Sequence, residues 1–177
     1  MTGSRFSSLF AVCLAALLSG PVWANGTNPA WAVYFSPQGG CTAAIVAEIA
    51  KARTTIHVQA YSFTSDTIAK ALLNAHKQGV KVSVILDKSQ RTGKYSSADF
   101  FAHSGIETMI DAQHAIAHNK VIVIDENIVI TGSFNFTKAA ESNNAENILV
   151  IRDPTLAEKY LKNWKTHAAH SDIYEGK

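Results

Sequence analysis

The stretch "VQAYSFTSDTIAKALLNAHKQGVKVSVILD", residues 58–87, constrains the fold more than any other part of the chain. Two β-branched, apolar runs flank a segment with helical spacing, which is the pattern of a β-α-β unit. Ser65 is placed to cap the helix, Ile68, Ala71, Leu72 and Ala75 form its core stripe, and Gly79 stops it. The run "VKVSVILD" (80–87) is apolar at most positions, as in a strand covered on both faces.

The alternation continues on either side. "WAVYFS" (31–36) reads as a strand ending in a Pro-Gln-Gly-Gly turn, and "CTAAIVAEIAKA" as a helix with Ile45, Val46 and Ile49 at helical spacing. Residues 54–63 open the β-α-β unit. After the 80–87 strand comes "KSQRTGKYSS", a basic loop of flexible composition, then a short helix in "SADFFAHSG" and a short strand in "IETMI". "KVIVID" and "IVITGSF" form an antiparallel hairpin about Glu126 and Asn127. "TKAAESNN" is a short helix or turn, "ENILVI" a final strand, and Pro154 to about Ala169 a closing helix with Pro in its first turn. The expected fold is α/β: a mixed sheet with helices on both faces, in one domain without linker or repeat.

The first 24 residues read as a secretory signal. They hold one basic residue (Arg5), an apolar run from Phe6 to Leu18 that is too short to span a bilayer, and Val22-Trp23-Ala24 before the expected cleavage site. The expected mature chain is 25–177, 153 residues, periplasmic or secreted. Its one cysteine, Cys41, allows no internal disulfide. It carries 15 basic and 14 acidic side chains, a net charge of +1, which excludes the strongly basic balance of a dedicated nucleic-acid binder. An anionic substrate must be held by a local cluster.

Such a cluster is encoded in the hairpin. Strand alternation puts His118, Lys120, Ile122 and Ile124 on one face and Asn119, Val121, Val123 and Asp125 on the other. A two-residue loop pairs Asp125 with Ile128 and sets Lys120 opposite Ser133 and His118 opposite Asn135, one cross-strand polar patch. A three-residue loop reverses the parity of Ser133 and Asn135. Both faces are apolar elsewhere, so hydrophobicity does not choose between them; the two-residue register is the one expected. An ammonium, an amide, a hydroxyl and an imidazole suit a phosphate diester, whose oxygens need donors and whose phosphorus needs a nucleophile. For an isolated His-x-Lys, a hydrogen-bonded edge histidine and a snorkelling lysine are the commoner explanation.

The full string is His118-x-Lys120-x4-Asp125-x6-Gly132-Ser133-x-Asn135. At ordinary residue frequencies it arises by chance in about one chain per 10⁵ or fewer. It resembles the signature of the phospholipase D superfamily, and the size, single motif copy and export signal are similar to its short bacterial (Nuc-like) endonuclease branch. The resemblance implies that His118 is the nucleophile, that Lys120, Ser133 and Asn135 bind phosphate oxygens, and that Glu146 in "NNAENILVI" is the acid orienting His118. Asp125 and Gly132 belong to the signature as structural positions; at the hairpin turn the Asp125 carboxylate can accept backbone N–H bonds.

Members of the superfamily act with two motif copies. Here only His118, among seven histidines, has Lys two positions on, so the resemblance implies a homodimer with a second His118 across the two-fold axis. The expected reaction is metal- and cofactor-independent cleavage of DNA through a phosphohistidine, with little sequence preference and RNA left open. Lys88, Arg91 and Lys94 lie beyond the carboxyl end of the 80–87 strand and are candidate backbone contacts.

Three rivals stand beside this reading. A phospholipid or cardiolipin phosphodiesterase would use the same signature, but the mature chain shows no obvious membrane-docking helix and no stable membrane association is expected. A metal hydrolase could draw on His114 and His118 in "HAIAH" or His167 and His170 in "HAAH", although no Glu lies between the first pair. A non-catalytic module could keep the motif without turnover.

Overall fold

The computed structural model describes residues 30–177 together with Met1, so the signal-peptide expectation for residues 1–24 lies outside the described residues. The elements run β1 (Trp31–Ser36), α1 (Cys41–Ile49), β2 (Thr55–Ala60), α2 (Asp66–Lys77), β3 (Lys81–Asp87), α3 (Ala98–His103), β4 (Glu107–Asp111), β5 (Lys120–Ile124), β6 (Ile128–Gly132), α4 (Lys138–Ser142), β7 (Glu146–Arg152), α5 (Pro154–Ala168) and β8 (Asp172–Ile173). The strands form one sheet in the order β1-β7-β6-β5-β2-β3-β4-β8. β2, β3 and β4 are parallel to their neighbours among these three, and every other pairing is antiparallel. It is the mixed, helix-covered α/β sheet expected.

The β-α-β stretch forms for the reasons its sequence contains. Ser65 Oγ accepts the Ile68 N–H at 3.4 Å and starts α2, and Gly79 leaves the helix at φ +92°, a left-handed conformation open to glycine. The buried face of α2 is Ile68, Ala69, Leu72 and Ala75; Ala71, expected in that stripe, is half-buried at its margin. All of β3 after Lys81 is buried. Val82, Val84 and Leu86 join the core under α1 and α2, while Ile85 packs with Met109 and Trp164 on the α5 side. α5 is started by Asp153, whose Oδ1 accepts the N–H groups of Thr155 and Leu156 at 2.8 and 3.1 Å. It is held to the sheet by Trp164, whose Nε1 donates to the Val58 carbonyl at 2.9 Å.

Two expectations need correction. The hairpin loop has three residues, not two: Ile124 pairs with Ile128 and Val121 with Thr131, which places Lys120 across from Gly132 rather than Ser133. The cause lies in a neighbouring segment. Asp125 Oδ1 accepts from Thr54 N, Thr54 Oγ1 and Thr55 N at 2.8, 2.8 and 3.0 Å, and Oδ2 from Arg53 N at 2.8 Å. Drawn to the start of β2, Asp125 leaves the β5–β6 ladder, and it and Glu126 turn the chain at φ +50° and +53°. The second correction concerns "KSQRTGKYSS". Its first half is a 3-10 turn, Lys88–Arg91, started by Asp87 Oδ1 accepting Ser89 N–H at 2.9 Å. Buried Gln90 fastens it by accepting the Phe63 N–H at 3.2 Å.

Candidate active site

β5 begins at Lys120, and His118 stands two residues ahead of it at the carboxyl end of β2. The pairing of Ala60 with Lys120 and the hydrogen bond from Tyr61 N to the Asn119 carbonyl, 2.9 Å, bring Tyr61 beside this corner. Its ring lies 4.6 Å, centroid to centroid, from the exposed imidazole of His118. Lys120 is only 7 % exposed; its Nζ donates to the His118 carbonyl at 2.8 Å and lies 5.2 Å from the Tyr61 ring centroid. Burial draws the Lys120 ammonium below the usual lysine range, and the Glu146 carboxylate partly offsets this. Sequence reasoning did not single out Tyr61. The signal was an aromatic residue just past the carboxyl end of a parallel strand, where α/β sheets collect ligands.

The other half of the site comes from the end of β6 and the start of β7. These strands meet so closely at Gly132 that an added Cβ would stand 2.2 Å from the Asn147 carbonyl oxygen. No other residue fits there without displacing backbone. Just beyond it, Ser133 Oγ accepts from Asn147 N at 3.1 Å and Asn147 Nδ2 at 3.4 Å, which leaves the hydroxyl proton free to donate outward. The Asn135 side chain has a buried Oδ1 with no hydrogen-bond partner. Glu146 Oε1 accepts from Asn144 Nδ2 at 3.1 Å, so its present hydrogen bond is to Asn144 and not to His118.

Five of the residues expected to act together therefore do meet, although by a different route. His118, Lys120, Ser133, Asn135 and Glu146, with Gly132, line one open cleft of about 430 Å³. It is not a patch on one sheet face: Ser133 and Asn135 belong to the chain leaving β6, at the edge where the strands end. Asp125 lies at the opposite end of β5. Burial pushes its carboxyl up, but the hydrogen bonds from Thr54, Thr55 and Arg53 outweigh burial and hold it below the usual carboxylate range. Lys88, Arg91 and Lys94 do not line the cleft. Lys88 Nζ donates to the His114 carbonyl at 3.0 Å, Arg91 pairs with Asp172 at 2.8 Å, and Lys94 stands 5.4 Å from the Tyr95 ring centroid.

His114 and His118 do not form the helical pair that "HAIAH" allows, because residues 112–119 are irregular. His114 turns instead toward Asp111, His167 and His170. The cleft thus presents an exposed imidazole, a sheltered ammonium, a hydroxyl, an amide and a carboxylate around a single opening. That is a nucleophile and a set of donors suited to a tetrahedral, anionic ester.

Comparison with known proteins agrees with this chemistry. Residues 45–167 match the family model described as cardiolipin synthase, PLD-like domain. The chain is 46% identical over 140 residues to a phospholipase D of Rickettsia typhi, covering 79% of this chain and 69% of that relative. It is 33% identical over 116 residues to a mitochondrial cardiolipin hydrolase of Chlamydomonas reinhardtii; the matched region is 66% of this chain and 52%, about half, of that longer protein. The crystal structure of a phospholipase D family member, Nuc from Salmonella typhimurium, superposes with a TM-score of 0.80 at 41% identity, covering 82% of this chain and 98% of Nuc.

Proposed function

Since the chain belongs to the phospholipase D superfamily and is a phosphodiester hydrolase of that family, we propose that it is an exported, non-specific endonuclease. It cleaves DNA through a phosphohistidine at a site completed by two copies of the chain. The observation that carries the reading is the cleft itself: His118 stands exposed at its mouth while every other group lining it is a donor, a carboxylate or a glycine. The nuclease assignment, as against another diester, draws on the likeness to the short endonuclease branch and on the match to Nuc along 98% of its length.

In this scheme the neutral His118 of one copy attacks phosphorus, forming an N–P bond as the P–O bond to the leaving group breaks. Protonated His118 of the second copy gives its proton to that leaving oxygen. Lys120, Ser133 and Asn135 hold the non-bridging oxygens, where negative charge builds in the transition state. Water then attacks phosphorus, the second His118 takes its proton, and the N–P bond breaks. Glu146 steadies the imidazolium character of the attacking ring, which requires it to leave Asn144 for His118 when substrate is bound. Because one copy must supply a base and the other an acid, the expected pH–rate profile is bell-shaped.

A lipid reading keeps its own support in the names of the Rickettsia and Chlamydomonas relatives, and in Ile116, an exposed large apolar side chain two residues before His118. Plasmid DNA and cardiolipin or phosphatidylcholine vesicles, assayed side by side with wild type and His118→Ala, separate the two. The nuclease reading expects nicking of plasmid, lost in the variant, and acid-labile phosphate trapped on His118. Lipid turnover without nicking overturns it.

A further inference from the structure

Three strand spacings from the cleft, about 14 Å across the same end of the sheet, a second group of ligating side chains converges. Asp111 ends β4, His114 follows it, and His167 and His170 come from the end of α5 and the turn after it. One ligand atom from each of the four lies within 4.8 Å of all the others. The vertex is Asp111, whose carboxylate is fully buried. Its Oδ2 is 2.7 Å from His167 Nδ1, 3.2 Å from His114 Nδ1 and 3.4 Å from His170 Nε2.

Hydrogen bonding alone does not satisfy this arrangement. His167 Nδ1 takes Oδ2 and His114 Nδ1 lies between the two carboxylate oxygens, 3.2 Å from Oδ2 and 3.3 Å from Oδ1, but His170 Nε2 is left buried without a hydrogen-bond partner. A four-coordinate ion answers the same geometry. With Zn–N and Zn–O bonds of 2.0–2.1 Å, the edge of a tetrahedron is roughly 3.3 Å, and the three distances to Oδ2 straddle that value. The other carboxylate oxygen, Oδ1, accepts the Gln113 N–H at 3.1 Å and has His114 Nδ1 at 3.3 Å, so the backbone hydrogen bond orients the carboxylate while Oδ2 points at all three rings. The donors are three imidazoles and one carboxylate, a set that favours zinc among the common biological cations over the hard, all-oxygen ions.

We propose that Asp111, His114, His167 and His170 form a structural site for Zn²⁺ or a similar divalent transition metal. Four protein ligands close the coordination sphere, so the ion has a mechanical and not a hydrolytic role. It clips the end of α5 to the segment that leads from β4 to His118. That segment is held at two further points, by Lys88 Nζ on the His114 carbonyl at 3.0 Å and by Asp87 Oδ2 accepting Ala117 N–H at 2.7 Å. The metal is the third fastening, and it lies on the same loop as the nucleophile.

The test uses untagged wild-type protein, dialysed against a chelator and then supplied with Zn²⁺ or Co²⁺. Metal content by mass spectrometry should reach one ion per chain, Co²⁺ should give the intense visible bands of a tetrahedral complex, and restoring metal to ~100-fold above its Kd should raise the melting temperature by about 5–10 °C. His118→Ala should bind metal as wild type does. His114→Ala removes the most exposed ligand, 45 % exposed, and so spares the fold. It should weaken binding by at least the ~10–100-fold that losing an outer-shell partner costs; His170→Gln provides a second variant with the ring removed. Absence of stoichiometric metal in wild type overturns the proposal. So does binding that His118→Ala abolishes and His114→Ala leaves intact, which would place the ion in the catalytic cleft.

Discussion

Two histidine-bearing regions share one end of the sheet and are built on opposite principles. At the β5–β6–β7 corner a single imidazole, His118, stands exposed against Tyr61, with no carboxylate yet bonded to it. At the β4–α5 corner three imidazoles crowd one buried carboxylate. A nucleophile needs an uncommitted lone pair and room for an incoming phosphorus; a clamp needs its lone pairs converging on one point and closed to substrate. The number of histidines therefore does not locate the chemistry here. On the proposed function, the one that stands apart from the others is the one that reacts.

The largest expected effect tests that contrast directly. His118→Ala should lower the rate of diester cleavage by ~10⁴-fold or more, as loss of a covalent nucleophile does, with an unchanged melting temperature. His114→Ala should do the reverse, keeping turnover within a few-fold at temperatures below its own melting point while losing thermal stability. If both variants lose activity equally with the fold intact, the two regions are one functional unit and the contrast fails. Next in size is Lys120→Met, which removes the sheltered charge but keeps a side chain of similar length beside Tyr61. Removing one such group from an oxyanion site costs ~10²–10³-fold in kcat. A change confined to KM would mean that Lys120 binds substrate without favouring the transition state.

A smaller, purely structural effect belongs to Asp125, the motif residue that the structure assigns to neither region. Asp125→Ala frees four donors at the start of β2 and should cost about 2–3 kcal/mol in denaturant unfolding, with kcat little changed. The pH dependence has a definite sign. The folded carboxyl titrates below its unfolded value of about 3.9, so its contribution is fully present above that value and is lost as pH falls through the lower folded pKa. Wild type should therefore lose stability more steeply than Asp125→Asn on acidification below about pH 4. Parallel acid-unfolding curves would contradict this role.

How much of this could be read from residues follows from how local each feature is. The β-α-β core is written in short-range code: the Ser65 cap, the Leu72 stripe, the Gly79 stop and the apolar run of β3 each act within a few residues. The motif string is nearly as compact, His118 to Asn135, and so the grouping of its residues in one cleft was readable. Hairpin register was not. It depends on Asp125 reaching Arg53, Thr54 and Thr55, some 70 residues away in sequence, and strand patterning carries no trace of that pull. The Asp111–His167 contact spans 56 residues. "HAIAH" and "HAAH" were visible as pairs, but only the packing of α5 against β4 shows which histidines meet. Tyr61 was hidden for a like reason, since it becomes a neighbour of His118 only through the antiparallel pairing of β2 with β5.

The smallest expected effect asks whether the basic loop after β3 belongs to the reactive region at all. Lys88 and Arg91 already have partners, the His114 carbonyl and Asp172, whereas Lys94 rests near the ring of exposed Tyr95. If the loop touches the DNA backbone, Lys94 is the side chain with the least to give up. Removing one lysine that neutralises a phosphate should reduce the slope of log affinity against log salt by about 1, evenly across sequences. Lys94→Ala should show that change, measured with catalytically dead His118→Ala protein so that binding is read without cleavage. Arg91→Ala should instead disturb the pairing with Asp172 and leave the slope nearly as it was. Equal slopes for the parent and both variants would confine substrate binding to the cleft. A larger change at Arg91 than at Lys94 would mean that the Arg91–Asp172 pair opens on binding, and that the ion pair competes with DNA.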